Sequence, residues 1–352
     1  MNERPWLVLV GGFLGAGKTT LILAAARELA RRGMRSAAIL NDQGADLVDT
    51  QMAQTSGIAS DEVTGGCFCC RFSDLVSAAQ RLREHRPDVI FAEPVGSCTD
   101  IVATTLLPLR AEYADEFRLA PFTVLVDPAR AAELGAATAD ADLQYLFHRQ
   151  IEEADLICLT KSDRGGAGPF ANEGLRVREI SARTGQGVAA WLDEVMSGQL
   201  TAGEKTLDID YEQYARAEAA LAWLNLRAIY RPHEPVSPAM AIGPLLDGID
   251  AGLGAAKIAA VHMKMTDDSS EGFLKAAICG NGQEPAVEGA LDASPAARHE
   301  IRLNLRALGD PEAVRNIVER EIHRLPGDVS ELRIACFSPT APKPEKRVAP
   351  VR

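Results

Sequence analysis

The sequence predicts an α/β protein with a doubly wound, mostly parallel sheet, followed by a smaller α+β domain. As far as about residue 196, short apolar runs typical of buried strands alternate with helical patterns, which is the order of βαβ units. After a stretch containing glycine and threonine at 197–206, strand patterns follow one another more directly. The 352 residues, 47% of them hydrophobic, suffice for a buried core in each domain.

The first domain contains five short apolar runs of the kind found in parallel sheets. They lie at 6–10, 36–40, 88–92, 123–126 and 156–160. Helical spacing over 19–32 and 75–84 places helices between them. Because the carboxyl ends of parallel strands share one edge of a sheet, we expect ligands to bind there.

The second domain has strand patterns and two helices in a different order. Strands are predicted at 223–230, 258–265, 272–279 and 300–308, and helices at 238–256 and 310–323. The predicted boundaries are a first domain over 1–197, a linker over 198–210, an α+β domain over 211–337, and a proline-rich flexible tail over 338–352.

The charge balance restricts the classes of partner. The chain carries 37 Lys and Arg against 49 Asp and Glu, a formal net charge of −12. This argues against nucleic-acid binding by phosphate neutralisation and against attraction to anionic lipid. There is no run of about 18 apolar residues, and three of the seven cysteines lie within four positions, which suggests thiol or metal chemistry in a reducing compartment. We therefore expect a cytoplasmic protein that binds neither nucleic acid nor membrane.

A phosphate-binding loop follows the first strand. Residues 12–19 read Gly-Phe-Leu-Gly-Ala-Gly-Lys-Thr, with a strand before them and a helix after them, which is the context of a P-loop NTPase. Lys18 is expected to reach the β- and γ-phosphates, and the Thr19 hydroxyl to bind Mg²⁺. The residues predicted to surround the phosphates are Gly12, Gly15, Ala16, Gly17, Lys18, Thr19 and Thr20.

Two later segments favour guanine over adenine as the base. Thr160, Lys161 and Asp163 form a Lys-x-Asp loop at a strand end, where the carboxylate can accept from both N1–H and the exocyclic amine of guanine. At the next strand end, a backbone N–H of Ser181 or Ala182 is placed to meet guanine O6. The order of these segments after the phosphate loop predicts GTP and GDP as ligands.

Carboxylates near Thr19 are expected on the Mg²⁺ side. Glu93 and Asp42 each follow a predicted strand, and Gly96 is placed to donate its backbone N–H to the γ-phosphate. With Lys18, these two carboxylates are the predicted catalytic residues. The alternative for Asp42 and Glu93 is helix capping or simple solvation.

The most unusual feature is a cluster of three thiols, Cys67, Cys69 and Cys70, which we call the cysteine cluster. Three thiolates can converge on one soft or borderline cation, with Zn²⁺ the default and Co²⁺ or Cu(I) also compatible. The fourth position is then open for water, Glu62 or a partner's ligand. Buried apolar cysteines and a redox relay are the alternatives. The remaining cysteines are interpreted as core residues: Cys98, Cys158, Cys279 and Cys336.

Together these motifs resemble the CobW-type members of the G3E family of P-loop GTPases. The matching parts are residues 11–20, Glu62 with residues 66–70, residues 93–96, and Lys161 with Asp163. The resemblance covers about residues 5–197 closely and the second domain only in outline. It implies slow GTP hydrolysis and the insertion of a metal, usually zinc or cobalt, into a client protein.

Three departures from the family pattern stand out. Thr160 replaces the usual asparagine of the guanine loop, residues 93–100 continue Pro-Val-Gly-Ser-Cys-Thr-Asp after the glutamate, and the six histidines are dispersed. A metal-storage role is therefore unsupported. His262 matches a position common in the family's second domain. Two interpretations of it stay open: a metal ligand, or a strand histidine that makes one hydrogen bond.

The resulting hypothesis is a GTP-dependent metallochaperone with Mg²⁺ as its cofactor. Intrinsic turnover is expected to be slow, because no arginine is obviously placed to stabilise the transition state. A partner protein, or a second copy of the chain in a homodimer, is expected to supply that arginine. One alternative is a GTPase chaperone for a cofactor-dependent enzyme, such as a corrinoid protein, with a purely regulatory metal. Another is a non-catalytic metal sensor gated by nucleotide.

Overall fold

The computed structural model describes residues 4–43, 57–165 and 176–348. The described residues form two compact units, and the chain passes from the first to the second between Ala217 and Glu218. The first unit includes residues up to Ala217 and again Ala341 onward, and the second covers Glu218–Thr340. Among the described residues, no helix combines the length and the apolar character needed to span a membrane.

The first unit is built on a parallel sheet, with eight strands among the described residues. The strands are β1 Trp6–Gly12, β2 Ser36–Asp42, β3 Ala59–Thr64, β4 Val89–Glu93, β5 Arg118–Leu119, β6 Thr123–Val126, β7 Leu156–Leu159 and β8 Val177–Glu179. Their order is β3-β2-β4-β1-β6-β7-β8, with β5 paired to the beginning of β1. The strands run outward from β1 on both sides, and right-handed crossovers then place helices on both faces, as a doubly wound sheet requires.

Seven α-helices accompany this sheet in the described ranges. They are α1 Lys18–Arg31, α2 Phe72–Arg83, α3 Leu107–Glu112, α4 Pro128–Leu134, α5 Ala141–Glu152, α6 Val188–Val195 and α7 Tyr211–Ala219. A π-helical turn over Val102–Leu106 leads into α3, and a 3₁₀ turn covers Ser162–Arg164. The core is apolar and close-packed: Trp191 of α6 stacks on Phe91 of β4 and donates its indole N–H to Thr123 Oγ1 at 3.1 Å.

The second unit is an antiparallel sheet with two helices. Its strands are β9 Leu221–Pro232, β10 Ala259–Ser269, β11 Gly272–Ile278, β12 Ala286–Gly289, β13 His299–Leu308 and β14 Gly327–Phe337, in the order β12-β11-β10-β13-β9-β14. Helices α8 Pro238–Ala255 and α9 Pro311–Ile322 pack with alternate strand residues in one apolar core. Asp310 caps α9 by accepting from Ala313 N at 2.9 Å, as the Asp-Pro signal predicts.

The chain returns to the first unit after the second, where the sequence predicts a flexible tail over 338–352. Residues 341–348, which we call the returning segment, contact the first unit: Glu345 N donates to Cys69 O at 2.9 Å and Val348 N to Ala103 O at 2.9 Å. Residues 338–348 contain neither helix nor strand. The proline-rich composition contains no signal for these long-range hydrogen bonds, and residues 349–352 lie outside the described part of the chain.

Candidate functional site

The phosphate loop lies at the carboxyl end of β1 and leads into α1. Three of its glycines have positive φ, with values of 136° at Gly12, 79° at Gly15 and 97° at Gly17. A Cβ at Gly12 would lie 2.6 Å from Leu125 O on the neighbouring strand, so a side chain does not fit there. The turn is closed by Ala16 N, which donates to Phe13 O at 3.0 Å, and Thr20 lies in the first turn of α1. The predicted loop geometry is therefore present.

Lys18 is buried inside this loop. Its ammonium donates to Gly12 O at 3.0 Å and lies 3.9 Å from Glu93 Oε1, with only 7% of the residue exposed. A buried cation held by its own loop is a preorganised partner for phosphate oxygens. Gly96 lies beside it, because a Cβ at that position would be 3.1 Å from Lys18 Nζ.

Thr19 and Glu93 meet directly. The Thr19 hydroxyl lies 2.9 and 3.2 Å from the two carboxylate oxygens of Glu93, at the end of β4. A hydroxyl and a buried carboxylate at the mouth of a phosphate loop are hard oxygen ligands of the type that Mg²⁺ prefers, so these residues fit that ion. Asp42 ends β2 at the same sheet edge, in register with Thr64 of β3. Its catalytic role stays a prediction.

The predicted guanine loop is organised by hydrogen bonds. Thr160 Oγ1 donates to Ala16 O at 2.9 Å, which ties this loop to the phosphate loop in spite of the missing asparagine. Lys161 has a φ of 58° and its ammonium lies 2.5 Å from Asp127 Oδ2. Asp127 was not predicted, although an Asp-Pro pair after a strand is a recognisable helix-start signal.

Asp163 is prepared to act as an acceptor. Ser181 Oγ donates to Asp163 Oδ1 at 2.7 Å, and this hydrogen bond lowers the pKa of the exposed Asp163 carboxyl below its ordinary value. The backbone N–H of Ser181 donates to Gln186 O at 2.9 Å, so it is already engaged. Ser181 thus positions the carboxylate through its hydroxyl, and a contact of Ala182 N–H with guanine O6 stays a prediction.

The three predicted metal ligands come together. Sγ–Sγ distances are 2.7 Å for Cys67–Cys69, 3.5 Å for Cys67–Cys70 and 3.6 Å for Cys69–Cys70. The three sulfur atoms all lie within 4.8 Å of one another, and no other such group of metal-ligating side chains occurs among the described residues. Glu62, a possible fourth ligand by sequence, does not belong to that group. A tetrahedral Zn²⁺ site has thiolates about 3.8 Å apart, so an ion entering would mainly separate Cys67 from Cys69.

The thiols are poor acids in the absence of a cation. Hydrogen bonding to Cys67, together with burial, raises the pKa of Cys70 to about 11, and hydrogen bonds with Cys67 and Cys70 raise the pKa of Cys69 well above its ordinary value. A divalent cation reverses this preference, because it stabilises the thiolates and displaces their protons. Metal binding at the cluster would therefore release protons.

Asn41, which the sequence analysis missed, holds the loop of the cysteine cluster. Its amide donates to Val63 O at 2.8 Å and to Gly66 O at 2.7 Å, and its carbonyl oxygen accepts from Phe68 N at 2.9 Å. The only sequence signal is a polar residue at the end of the apolar strand β2. Because Asn41 precedes Asp42, the end of β2 carries both the residue that holds the cluster loop and a predicted catalytic carboxylate.

The returning segment covers part of the cluster. Lys343 N donates to Cys70 Sγ at 3.1 Å, and the Glu345 carboxylate accepts from Ser73 N at 2.9 Å and Ser73 Oγ at 2.6 Å. Sequence reasoning could not locate these contacts, since they join residues more than 270 positions apart. His262 lies on β10 next to a register shift opposite β13 in the second unit, and its role stays open.

Comparisons with known proteins support the same interpretation. A family model described as CobW/HypB/UreG, nucleotide-binding domain, matches residues 6–183, just over half of the chain. The zinc chaperone YeiR of Escherichia coli (strain K12) is 30% identical over 162 residues, which cover 44% of this chain and 46% of YeiR. The zinc chaperone CobW of Sinorhizobium sp is 31% identical over 207 residues, which cover 50% of this chain and 55% of that protein.

The chain thus spans about half the length of the curated relatives it matches. Among solved structures, the Zn(II)-bound YjiA GTPase from E. coli aligns with a TM-score of 0.38 and 14% identity, covering 91% of this chain and 99% of that one. The family model matches the part of the chain that contains the phosphate loop, the cysteine cluster and the predicted guanine loop. On that match, the chain belongs to the CobW/HypB/UreG family, as its motifs predict.

Proposed function

We propose that this protein is a GTPase that uses its nucleotide state to take up and release Zn²⁺ or Co²⁺ at the cysteine cluster for a client protein. The observation that carries the proposal is the convergence of three thiols within 4.8 Å, on a loop that follows a strand of the sheet whose edge also presents Lys18 and Thr19. The similarity to zinc chaperones supports a transported metal.

On the nucleotide side, each residue has a distinct task. Lys18 neutralises the β- and γ-phosphates, and Gly96 N–H donates to the γ-phosphate. Thr19 and Glu93 would hold Mg²⁺, which supplies further charge neutralisation when bound. Glu93 also orients the attacking water by accepting its hydrogen bond, with Asp42 as the second carboxylate. The products are GDP and phosphate.

Base selection follows from the hydrogen-bonding pattern of Asp163. Its lowered pKa keeps the carboxyl group ionised, so both oxygens accept and match the paired N–H donors of guanine. Ala182 N–H meets O6 in this arrangement. Adenine presents an acceptor at N1, so it would face this carboxylate with a lone pair.

On the metal side, a change of bound nucleotide affects the geometry of the cysteine cluster through the ends of β2 and β4. Asn41 fixes the cluster loop by three hydrogen bonds, and the next residue is the predicted catalytic carboxylate Asp42. A change at the γ-phosphate that moves Asp42 or Glu93 therefore changes the spacing of the thiols. By linkage, a bound metal changes nucleotide affinity by the same factor.

The test is a competitive chelator titration with Zn²⁺ and with Co²⁺, in the presence of a GTP analogue or GDP. We expect the metal affinity to differ between the two nucleotide states by at least about tenfold, which corresponds to roughly 1.4 kcal/mol of coupling. The control is the Cys67→Ala, Cys69→Ala, Cys70→Ala triple variant, in which the tight site and the coupling should both vanish.

Other outcomes identify the rival functions. Tight binding that ignores the nucleotide would overturn the delivery cycle and leave the metal a structural or regulatory role, as in a chaperone for a cofactor-dependent enzyme. Coupling without any GTP turnover, even with metal and client present, would instead indicate a metal sensor. Phosphate release measured beside the titration separates these cases.

A further inference from the structure

The returning segment contacts the cysteine cluster at its most accessible thiol. Cys67 and Cys69 are buried, with 6% and 1% of their surface exposed, whereas Cys70 is only partly buried. The side of the cluster from which an ion can pass to another protein is therefore the side of Cys70. Lys343 N of the returning segment donates to Cys70 Sγ at 3.1 Å, so a backbone amide lies on this side.

The sequence around Lys343 presents this amide alone. Lys343 lies between Pro342 and Pro344, and neither proline has a backbone N–H. Because a residue that precedes a proline is disfavoured in the helical region, Lys343 is also restricted to an extended conformation. The segment therefore directs a single donor at the sulfur, from a backbone that loses little conformational entropy when it docks.

Glu345 fixes the segment to the chain before and after Cys70. Glu345 N donates to Cys69 O at 2.9 Å, and the Glu345 carboxylate accepts from Ser73 N at 2.9 Å and Ser73 Oγ at 2.6 Å. Ser73 lies in the first turn of α2, where backbone N–H groups have no acceptor within the helix. The carboxylate therefore satisfies one of these donors at the positive end of the helix dipole.

A buried ion pair holds the far end of the segment. Arg347 Nε donates to Asp100 Oδ2 at 2.8 Å, and only 1% of Asp100 is exposed. The same carboxylate oxygen accepts from Tyr211 OH at 2.6 Å, and Val348 N donates to Ala103 O at 2.9 Å. Undocking of Arg347 would remove the cation from a buried carboxylate, which is unfavourable. The ion pair therefore favours the docked segment.

We propose that the returning segment retains the metal ion at the cysteine cluster, and that a client protein must displace the segment from Cys70 to receive the ion. The inference rests on the proposed function, since it concerns the release of the same cargo. A hydrogen bond from a backbone N–H to a metal-bound thiolate stabilises the negative charge on sulfur and fixes the orientation of the ligand. Docking of the segment and binding of the ion therefore favour each other.

The test follows the release of Co²⁺ from the loaded full chain to an excess of chelator, by the loss of the thiolate-to-cobalt absorption. Lys343→Pro removes the amide hydrogen and places a ring carbon there, so the contact with Cys70 cannot form. Lys343→Ala is the matched control, because it removes the charged side chain and keeps the N–H. We expect release to be about tenfold faster in Lys343→Pro, as is typical when an outer-shell partner of a ligand is lost, and within about twofold of wild type in Lys343→Ala.

A second measurement uses the unmodified chain, so it does not depend on a variant that folds. If the segment retains the ion, the ion must stabilise the docked segment by the same factor. Zn²⁺ should therefore slow hydrogen exchange of the Lys343 and Glu345 amides relative to the metal-free chain. Circular dichroism of both variants checks that their fold is kept.

Equal release rates in Lys343→Pro and Lys343→Ala, or amides that exchange equally fast with and without Zn²⁺, would overturn this inference. The proposed function is judged by a different quantity, which is the difference in metal affinity between the GTP-analogue and GDP states of the wild-type chain. Each can therefore fail without the other.

Discussion

Glu153 of the first unit and Glu300 of the second are glutamates in opposite electrostatic situations. Glu153 is fully buried, and burial raises the pKa of its carboxyl well above the ordinary value, although Val102 N donates to it at 3.0 Å. Glu300 accepts from Arg227 at 2.8 Å and Arg302 at 2.9 Å, and the hydrogen bond from Arg227 is the main reason that its pKa falls to about 2. Glu300 of the second unit is thus paired with two arginines, whereas Glu153 of the first unit is buried in the interior.

Buried polar atoms without a hydrogen-bond partner occur in both units. In the first unit, Asp100 combines a φ of 62° with a buried Oδ1 that accepts no hydrogen bond, and three thiols lie in mutual contact. In the second unit, three buried side-chain atoms accept or donate no hydrogen bond within the described part of the chain: Trp223 Nε1, Asp267 Oδ1 and Arg302 Nε. What distinguishes the first unit is therefore its phosphate loop and its cluster of three thiols, and the ligand chemistry is proposed there.

The strongest test of this division compares one buried lysine from each unit. Lys18→Met should reduce GTP turnover by at least about 100-fold, because it removes a preorganised cation from the phosphates. Lys264 of β10 is buried to a similar extent, and Lys264→Met should leave turnover within about twofold of wild type if the chain stays folded. Phosphate release, with circular dichroism as the folding control, measures both. Equal losses would show that catalysis is not confined to the first unit.

The second prediction concerns the ion pairs of Glu300. Glu300→Gln should lower the free energy of unfolding by about 1–2 kcal/mol at neutral pH, since charge-assisted hydrogen bonds to two arginines are lost. The folded pKa of about 2 lies below the ordinary 4.5, so the stabilisation is complete above pH 4.5 and disappears as the pH falls towards 2.

Urea denaturation at pH 7 and near pH 3 measures this effect. The difference between wild type and variant should shrink at the lower pH. A difference independent of pH would mean that Glu300 stabilises the sheet by packing and not by its charge.

The third prediction concerns Glu153 of the first unit, where the effect of pH on stability has the opposite sign. The folded pKa of Glu153 is raised, so the folded state holds a proton that the unfolded state releases, and stability falls as the pH rises above about 4.5 towards the folded value. Glu153→Gln mimics the protonated carboxyl and should be more stable than wild type at pH 8, with little difference at pH 5. Thermal unfolding at the two pH values checks this, and a variant that is less stable than wild type at pH 8 would contradict a neutral Glu153.

The smallest expected effect is on the exposure of the cysteine cluster. Arg347 anchors the returning segment through Asp100 and through Leu207 O at 3.0 Å. Arg347→Ala should therefore loosen the contact of Lys343 with Cys70 and speed alkylation of Cys70 severalfold. Mass spectrometry of alkylated peptides gives the rate. Arg315→Ala, which breaks a more exposed pair with Glu319 in the second unit, should leave that rate unchanged.

Much of the first unit could be predicted from local sequence patterns. All five predicted strands are present, and the helix after the phosphate loop begins at Lys18. The strand end predicted before Ser181 corresponds to β8, whereas β5 was missed because two residues carry no measurable periodicity. β14 was missed as well: its alternation includes charged residues and gives no clear apolar run.

The residues of the candidate site likewise divide into those that the sequence predicts and those that it does not. Residues within contiguous motifs, such as Lys18, Thr19 and Cys67, were found because their spacing is the signal. Asn41 acts across gaps of 25 and 27 residues, so its sequence pattern is that of an ordinary strand residue. Contacts that depend on tertiary packing leave no periodic trace in a single sequence.

The returning segment has a consequence for the order in which the protein is made. Its Lys343 follows Cys70 by 273 residues, and at a synthesis rate of about 5–20 residues per second this separation lasts roughly 15–55 s. During that interval a nascent chain carries the three thiols before the residues that cover Cys70 exist. The first metal ion can therefore enter while translation is still in progress, and the cover then closes over a site that is already loaded.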